Sequence, residues 1–178
     1  MKKTSKIFLS FIMAATVILG VTGCSEEKVS LTNKTIHGVS IDIPDDFKDF
    51  TEKDGAMMAT NEDSTASISI SPVEDINDVP VEVWTEESFE EAMLSAYSES
   101  KLLEFKSNTK ISGLTTIYTH YTVKNANDVD TEAYTYIIYH NEETGKETAQ
   151  IITLAYNKNN KNSLQDNIDA IKSGISIK

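Results

Sequence analysis

Apolar and polar residues alternate along much of this chain. "VSIDI", residues 39–43, sets Val39, Ile41 and Ile43 against Ser40 and Asp42, and Pro44 closes the run. "TASISISPV", residues 65–73, sets Ala66, Ile68 and Ile70 against Ser67, Ser69 and Ser71. Successive side chains of a strand point to opposite faces, so both stretches predict strands with one apolar and one polar face. "GAMMAT" (55–60) predicts another, with "NEDS" as the turn that follows it.

The period then changes. In "TEESFEEAMLSAYSESKL" the residues Phe89, Ala92, Met93, Ala96 and Tyr97 follow the i, i+3, i+4, i+7, i+8 spacing of one helical face. Thr85 suits the N-cap, and Glu86 and Glu87 fall in the first turn, where the helix dipole favours acids. With Glu90 and Glu91 they form an acidic run that reads as the solvated face of the helix. Four further strands are predicted at about 103–111, 114–123, 132–140 and 147–156. "ISG", "NANDVDT" and "NEETGK" are the turns between them. A last helix opens at Ser163, with Asp166 at capping-box spacing, and carries Leu164, Ile168 and Ile171 on one face. Ser173 and Gly174 stop it before the terminal "ISIK". Strands, helix, strands, helix is not the strict alternation of a parallel sheet. It predicts an α+β domain with a central antiparallel sheet flanked by helices.

Charge narrows the partners. All sixteen basic residues are lysines, against 28 acids. Residues 1–23 hold three of those lysines and no acid, so the remainder sets 13 lysines against 28 acids, a net charge of −15. Nucleic-acid binding draws its affinity from neutralised phosphates, and this balance opposes it. It equally opposes lying flat on an anionic membrane surface.

The N-terminus names a place. "MKKTSK" is basic, "IFLSFIMAATVIL" (7–19) is uncharged and apolar, and the small-residue run "GVTGC" ends in Cys24, the sole cysteine. A basic, then apolar, then small-residue order describes a secretory signal peptide. "VTGC" resembles the bacterial lipobox, and that resemblance implies cleavage between Gly23 and Cys24 and lipid attachment on the Cys24 sulfur. An uncleaved anchor through Ile7–Ser25 is the alternative, although its last third is poorly hydrophobic. Residues 1–23 are therefore expected to be a lipoprotein signal peptide, residues 24–34 a lipidated tether, and residues 35–178 the folded domain. The expected location is the outer face of the cell membrane, held by the lipid.

"GVSIDIPDDF" near the domain start, the long strands of "EAYTYIIYHNEETGKETAQIITLAYN" and the closing "DAIKSGISI" together resemble PsbP/Mog1-like domains over roughly residues 35–178. The resemblance implies a central antiparallel sheet in an α/β/α sandwich. It also implies action through binding other proteins, and it carries over no functional residue.

Chemistry-bearing motifs are sparse. There is no G-x-S-x-G elbow and no S-x-x-K with its partner motifs. His37, His120 and His140 share no local metal-ligand spacing, so no metal and no cofactor is expected. The acidic runs Asp128, Asp130, Glu132 and Glu74, Asp75, Asp78 lack the glycine and spacing of a calcium loop and read as hairpin loops. Tyr118, Tyr121, Tyr134, Tyr136, Tyr139 and Tyr156 cluster in the later strands. Tyr134 and Tyr136 must share a face, and Tyr139 the other. Their rings are expected to line the core with hydroxyls at its margin. Two functions stay open: a tethered, non-enzymatic protein-binding or assembly module, or a small extracytoplasmic enzyme or ligand binder using Asp45, Asp46 or Glu132 with a histidine.

Overall fold

The structure is a computed structural model that describes residues 29–76, 81–141 and 147–178. The predicted signal peptide, Gly23 and Cys24 lie outside the described residues. The chain begins with the hairpin β1 (Leu31–Ile36) and β2 (Val39–Pro44). Four short strands follow: β3 (Thr51–Lys53), β4 (Ala56–Thr60), β5 (Ala66–Ile70) and β6 (Glu74–Asp75). The helical turn α1 (Glu86–Phe89) leads to the long strands β7 (Ser100–Ile111), β8 (Leu114–Lys124), β9 (Asp130–Asn141) and β10 (Glu147–Asn157). Helix α2 (Ser163–Gly174) and β11 (Ser176–Ile177) close the fold.

Three of the hairpins turn on two residues: His37–Gly38, Asp54–Gly55 and Ser112–Gly113. In each pair both φ angles are positive, for example 51° and 84° at Ser112 and Gly113. That is the twist a two-residue hairpin requires, and a glycine at the second place adopts it without a Cβ clash. His37 is therefore a turn residue. The pairing it enforces also draws Leu31–Lys34, expected in the tether, into β1.

All ladders are antiparallel. The large sheet runs β3-β4-β5-β10-β9-β8-β7, with β6 also on β10, and a small sheet runs β1-β2-β11. The large sheet has a core on each face. One joins Trp84, Phe89, Met93 and Leu94 to Ile117, Ile137 and Ile151. The other seats Val39, Ile41 and Ile43 of β2 with Leu164 and Ile171 of α2 on Ile68, Ile70, Ile152 and Leu154. The expected central antiparallel sheet is present. The layer on its second face is a small sheet plus one helix, not helices alone. Both cores are drawn from residues 31–177.

Three local expectations are corrected. Ser67, Ser69 and Ser71 are 3, 2 and 2% exposed, not solvated, because β5 lies inside a sheet packed on both faces. Thr85 caps α1 as expected, but after Phe89 the backbone becomes a π turn (Glu90–Leu94) and then ends. Ala96, placed on the apolar face by periodicity, is exposed as a result, and β7 begins at Ser100, earlier than predicted. The cap of α2 is Asn162, whose side chain accepts from the Gln165 N–H at 2.9 Å. Ser163 instead donates to both oxygens of Asp46, at 2.6 and 2.8 Å, which pins the helix start to the β2–β3 loop. At the helix end a Cβ on Gly174 would sit 2.9 Å from an Asp42 carboxylate oxygen, so glycine lets α2 lie close on β2.

Candidate functional site

Register places side chains from four strands side by side on the face that α2 covers. Cross-strand pairing aligns Lys101 with Thr122 and Thr122 with Glu132, and Glu132 with Tyr156. The next row is Glu104, His120, Tyr134, and the next is Lys106, Tyr118, Tyr136. His120 Nε2 lies 2.7 Å from Glu132 Oε1, and the Tyr134 hydroxyl donates to the same oxygen at 3.0 Å. Lys158 Nζ stands 3.9 Å from the other Glu132 oxygen. The His120 ring stacks on Tyr134, centroids 4.3 Å apart and 11° from parallel. From α2 the Lys172 ammonium sits over Tyr134 and Tyr118, 4.7 and 5.3 Å from the ring centroids.

Electrostatics assign the proton states. Burial opposes the charge on Glu132, but hydrogen bonds from His120, Tyr134 and Tyr156 outweigh it and hold the carboxyl below its ordinary range. Burial lifts Tyr134 far above the usual phenol range and pushes Tyr156 up to about 12. The tyrosines are therefore neutral donors around an ionised carboxylate. Glu132 is engaged on both oxygens and fixes the cluster in place.

Of the sequence candidates, Glu132 and His120 meet, together with Tyr134 and Tyr156. Tyr134 and Tyr136 share one face and Tyr139 takes the other, as expected. His140 lies six residues beyond Tyr134 on β9, about 20 Å along the strand. The His37 carbonyl accepts from Gln150 at 3.0 Å, and Gln150 lies six residues before Tyr156 on β10. Asp128 and Asp130 answer neighbours: Asp128 is 3.5 Å from Lys124, and Asp130 accepts from Asn159 at 3.2 Å. Glu74 and Asp75 form β6, and Asp78 lies outside the described residues. Asp46 is spent on Ser163, and burial raises its carboxyl above the ordinary range. Among the described residues no three of His, Cys, Asp and Glu gather closely enough to hold a metal ion, and no helix is long and apolar enough to cross a membrane.

Two concavities escaped sequence reading. A hollow of about 350 Å³ at the strand ends is lined by Lys101, Lys124 and Lys158 with Glu99, Asp130 and Asn159. Within it Lys124 meets Glu99 at 3.1 Å, and the hydrogen bond to that carboxylate raises its ammonium pKa. A groove of about 460 Å³ opens where the small sheet meets the edge of the large one. Ile36, Ile43, Phe47, Phe50 and Met57 line it, with Lys34, Lys48, Asp45 and Asp49 beside them. The one sequence sign of it was "DDFKDF", two phenylalanines in an otherwise charged loop.

Neither a protein-family model nor a curated protein sequence matches this chain. Among the solved structures that align with it are two of Mog1 proteins. The crystal structure of the Saccharomyces cerevisiae Ran-binding protein Mog1p aligns at 13% identity over 83% of this chain and 96% of its own, with a TM-score of 0.49. A point mutant of protein Mog1 aligns at 11% identity over the same shares, with a TM-score of 0.47.

Proposed function

We propose that this protein is a lipoprotein whose Cys24 lipid holds the domain on the outer face of the cell membrane, where it binds another protein and catalyses nothing. The observation that carries the binding half is the groove between the sheets. Ile36, Ile43, Pro44, Phe47, Phe50 and Met57 lie beside two lysines and two aspartates, the apolar-centre, polar-rim make-up of a recognition surface. Thr32, which lines the groove, stands eight positions after Cys24. That length spans at most about 29 Å. The partner is accordingly a membrane protein that presents an apolar segment close to the bilayer.

Two measurements test this. Mass spectrometry of the mature N-terminal peptide should find lipid on Cys24; an intact Met1 ends the anchoring claim. A photoreactive residue in place of Phe50 should crosslink one discrete membrane protein, whereas the same probe at Val83, which is 48% exposed outside the groove, should not. Equal labelling from both positions rules out the groove.

A second reading, a small extracytoplasmic enzyme or ligand binder, draws on the His120–Glu132 contact. That pair lines neither concavity and is closed by its own hydrogen bonds. The contact therefore favours a structural role over hydrolysis, which needs its carboxylates held facing a cleft.

A further inference from the structure

The two ends of the large sheet differ in kind. β3 is three residues long; β7 has twelve and, among the described residues, pairs only with β8. Long open edges invite pairing with other chains, and lysines and bulges ordinarily blunt them. β7 has both devices, but they are placed symmetrically. Its register with β8 shifts between Leu102 and Glu104 and again between Lys106 and Thr109, one extra residue on each side of Phe105.

This makes the strand self-complementary. Lys101, Glu104, Lys106 and Thr109 pair with Thr122, His120, Tyr118 and Thr116, residues on the face toward α2. Ser100, Phe105 and Lys110 pair with Val123, Thr119 and Thr115, on the opposite face. Reflecting the strand about Phe105 matches Ser100 with Lys110, Lys101 with Thr109, and Glu104 with Lys106, each with a residue of its own face. Glu104 and Lys106 already attract each other within one chain, Nζ 2.5 Å from Oε1. Moving the centre to Glu104 or Lys106 sets two like charges opposite, which is unfavourable. A centre at Phe105 avoids both clashes.

We infer that two copies of this chain pair antiparallel along β7, about a two-fold axis at Phe105, with Glu104 of each facing Lys106 of the other. The large sheet then continues across the dimer, and Leu103, 43% exposed in the single chain, lies at the seam. This goes beyond the binding role above and does not depend on it, because the groove lies at the other edge of the sheet.

Sedimentation velocity on residues 25–178, which contain both cores and lack Cys24, tests the inference. The chain should dimerise reversibly. Lys106→Glu should raise the dimer dissociation constant by on the order of tenfold, and so should Glu104→Lys. The double variant Glu104→Lys/Lys106→Glu, which restores opposite charges, should return to within about threefold of the original. The Lys106 side chain is 58% exposed, so these changes leave the cores intact, which a thermal melt checks. A chain that stays monomeric at its highest soluble concentration overturns the inference. So does a dimer that ignores the single reversals, or one that the double variant fails to rescue.

Discussion

The two faces of the large sheet use the same residue types for different ends. On the face toward α1, tyrosine hydroxyls point inward. Tyr139 accepts from the Trp84 indole N–H at 2.7 Å, and Tyr121 meets Thr135 at 3.2 Å. The Phe89 ring sits among Trp84, Phe105 and Tyr121, centroids 5.8–6.2 Å away. On the face toward α2, Tyr118, Tyr134, Tyr136 and Tyr156 fill the core with their rings, and Tyr134 presents its hydroxyl to Glu132 at the margin. One face is a closed core. The other grades from core to a polar cluster within two residue rows. Tyrosine serves both because its ring is apolar and its hydroxyl needs a partner, and the parity of a residue along its strand decides which partner it meets.

The contrast can be broken from the dry side first. Phe89→Ala removes a ring that is 0% exposed and leaves a cavity among three aromatics. It should cost about 3–5 kcal/mol in chemical denaturation. A loss under about 1 kcal/mol would show that the face toward α1 is not a packed core.

The wet side should yield less, and with a pH signature. Glu132→Gln keeps the shape but turns charge-assisted hydrogen bonds into neutral ones, a loss of about 1 kcal/mol at pH 7. Because folding holds the Glu132 carboxyl below the ordinary value of 4.5, its stabilisation is complete above that value and is lost as pH falls through the lower folded value. Urea midpoints of wild type and variant should therefore converge as the solution is acidified below about pH 4.5. A gap that is the same at acid and neutral pH would remove the charge from the explanation.

The smallest effect should come from Lys172→Met, which keeps the aliphatic stem over Tyr134 and Tyr118 but deletes the ammonium. About 0.5–1 kcal/mol should be lost, the usual scale of a partly exposed cation–π contact. An unchanged melting curve would mean that the stem alone, not the charge, packs α2 on this face.

Much of the fold was legible from local pattern. The four long strands were placed within three residues at each end, apart from their turns, because alternation over eleven or twelve residues leaves little choice of conformation. Thr85 as a cap was equally visible. What failed had a common cause. Ser67, Ser69 and Ser71 looked solvated because alternation reports two unlike faces, not whether something covers the polar one. Ala96 looked apolar-facing because a periodicity says nothing about where a helix stops. Leu31–Lys34 looked like tether because β1 has no strong alternation and is held by its hairpin to β2. The Glu132–His120 meeting joins β9 to β8 across twelve positions, and no spacing rule encodes it.

The sequence by itself determined the long strands, the turn at Ser112–Gly113, the acidic balance and the expectation of a lipid on Cys24. Each of these rests on neighbours within a few residues, or on a simple count. Only the tertiary structure decided that the sheet is covered on both faces, that Asp46 holds Ser163, that a groove opens beside Phe47 and Phe50, and that the bulges of β7 flank Phe105 evenly. Those outcomes depend on register between strands far apart in the chain. Register is settled by the sum of many weak cross-strand contacts and not by any residue alone.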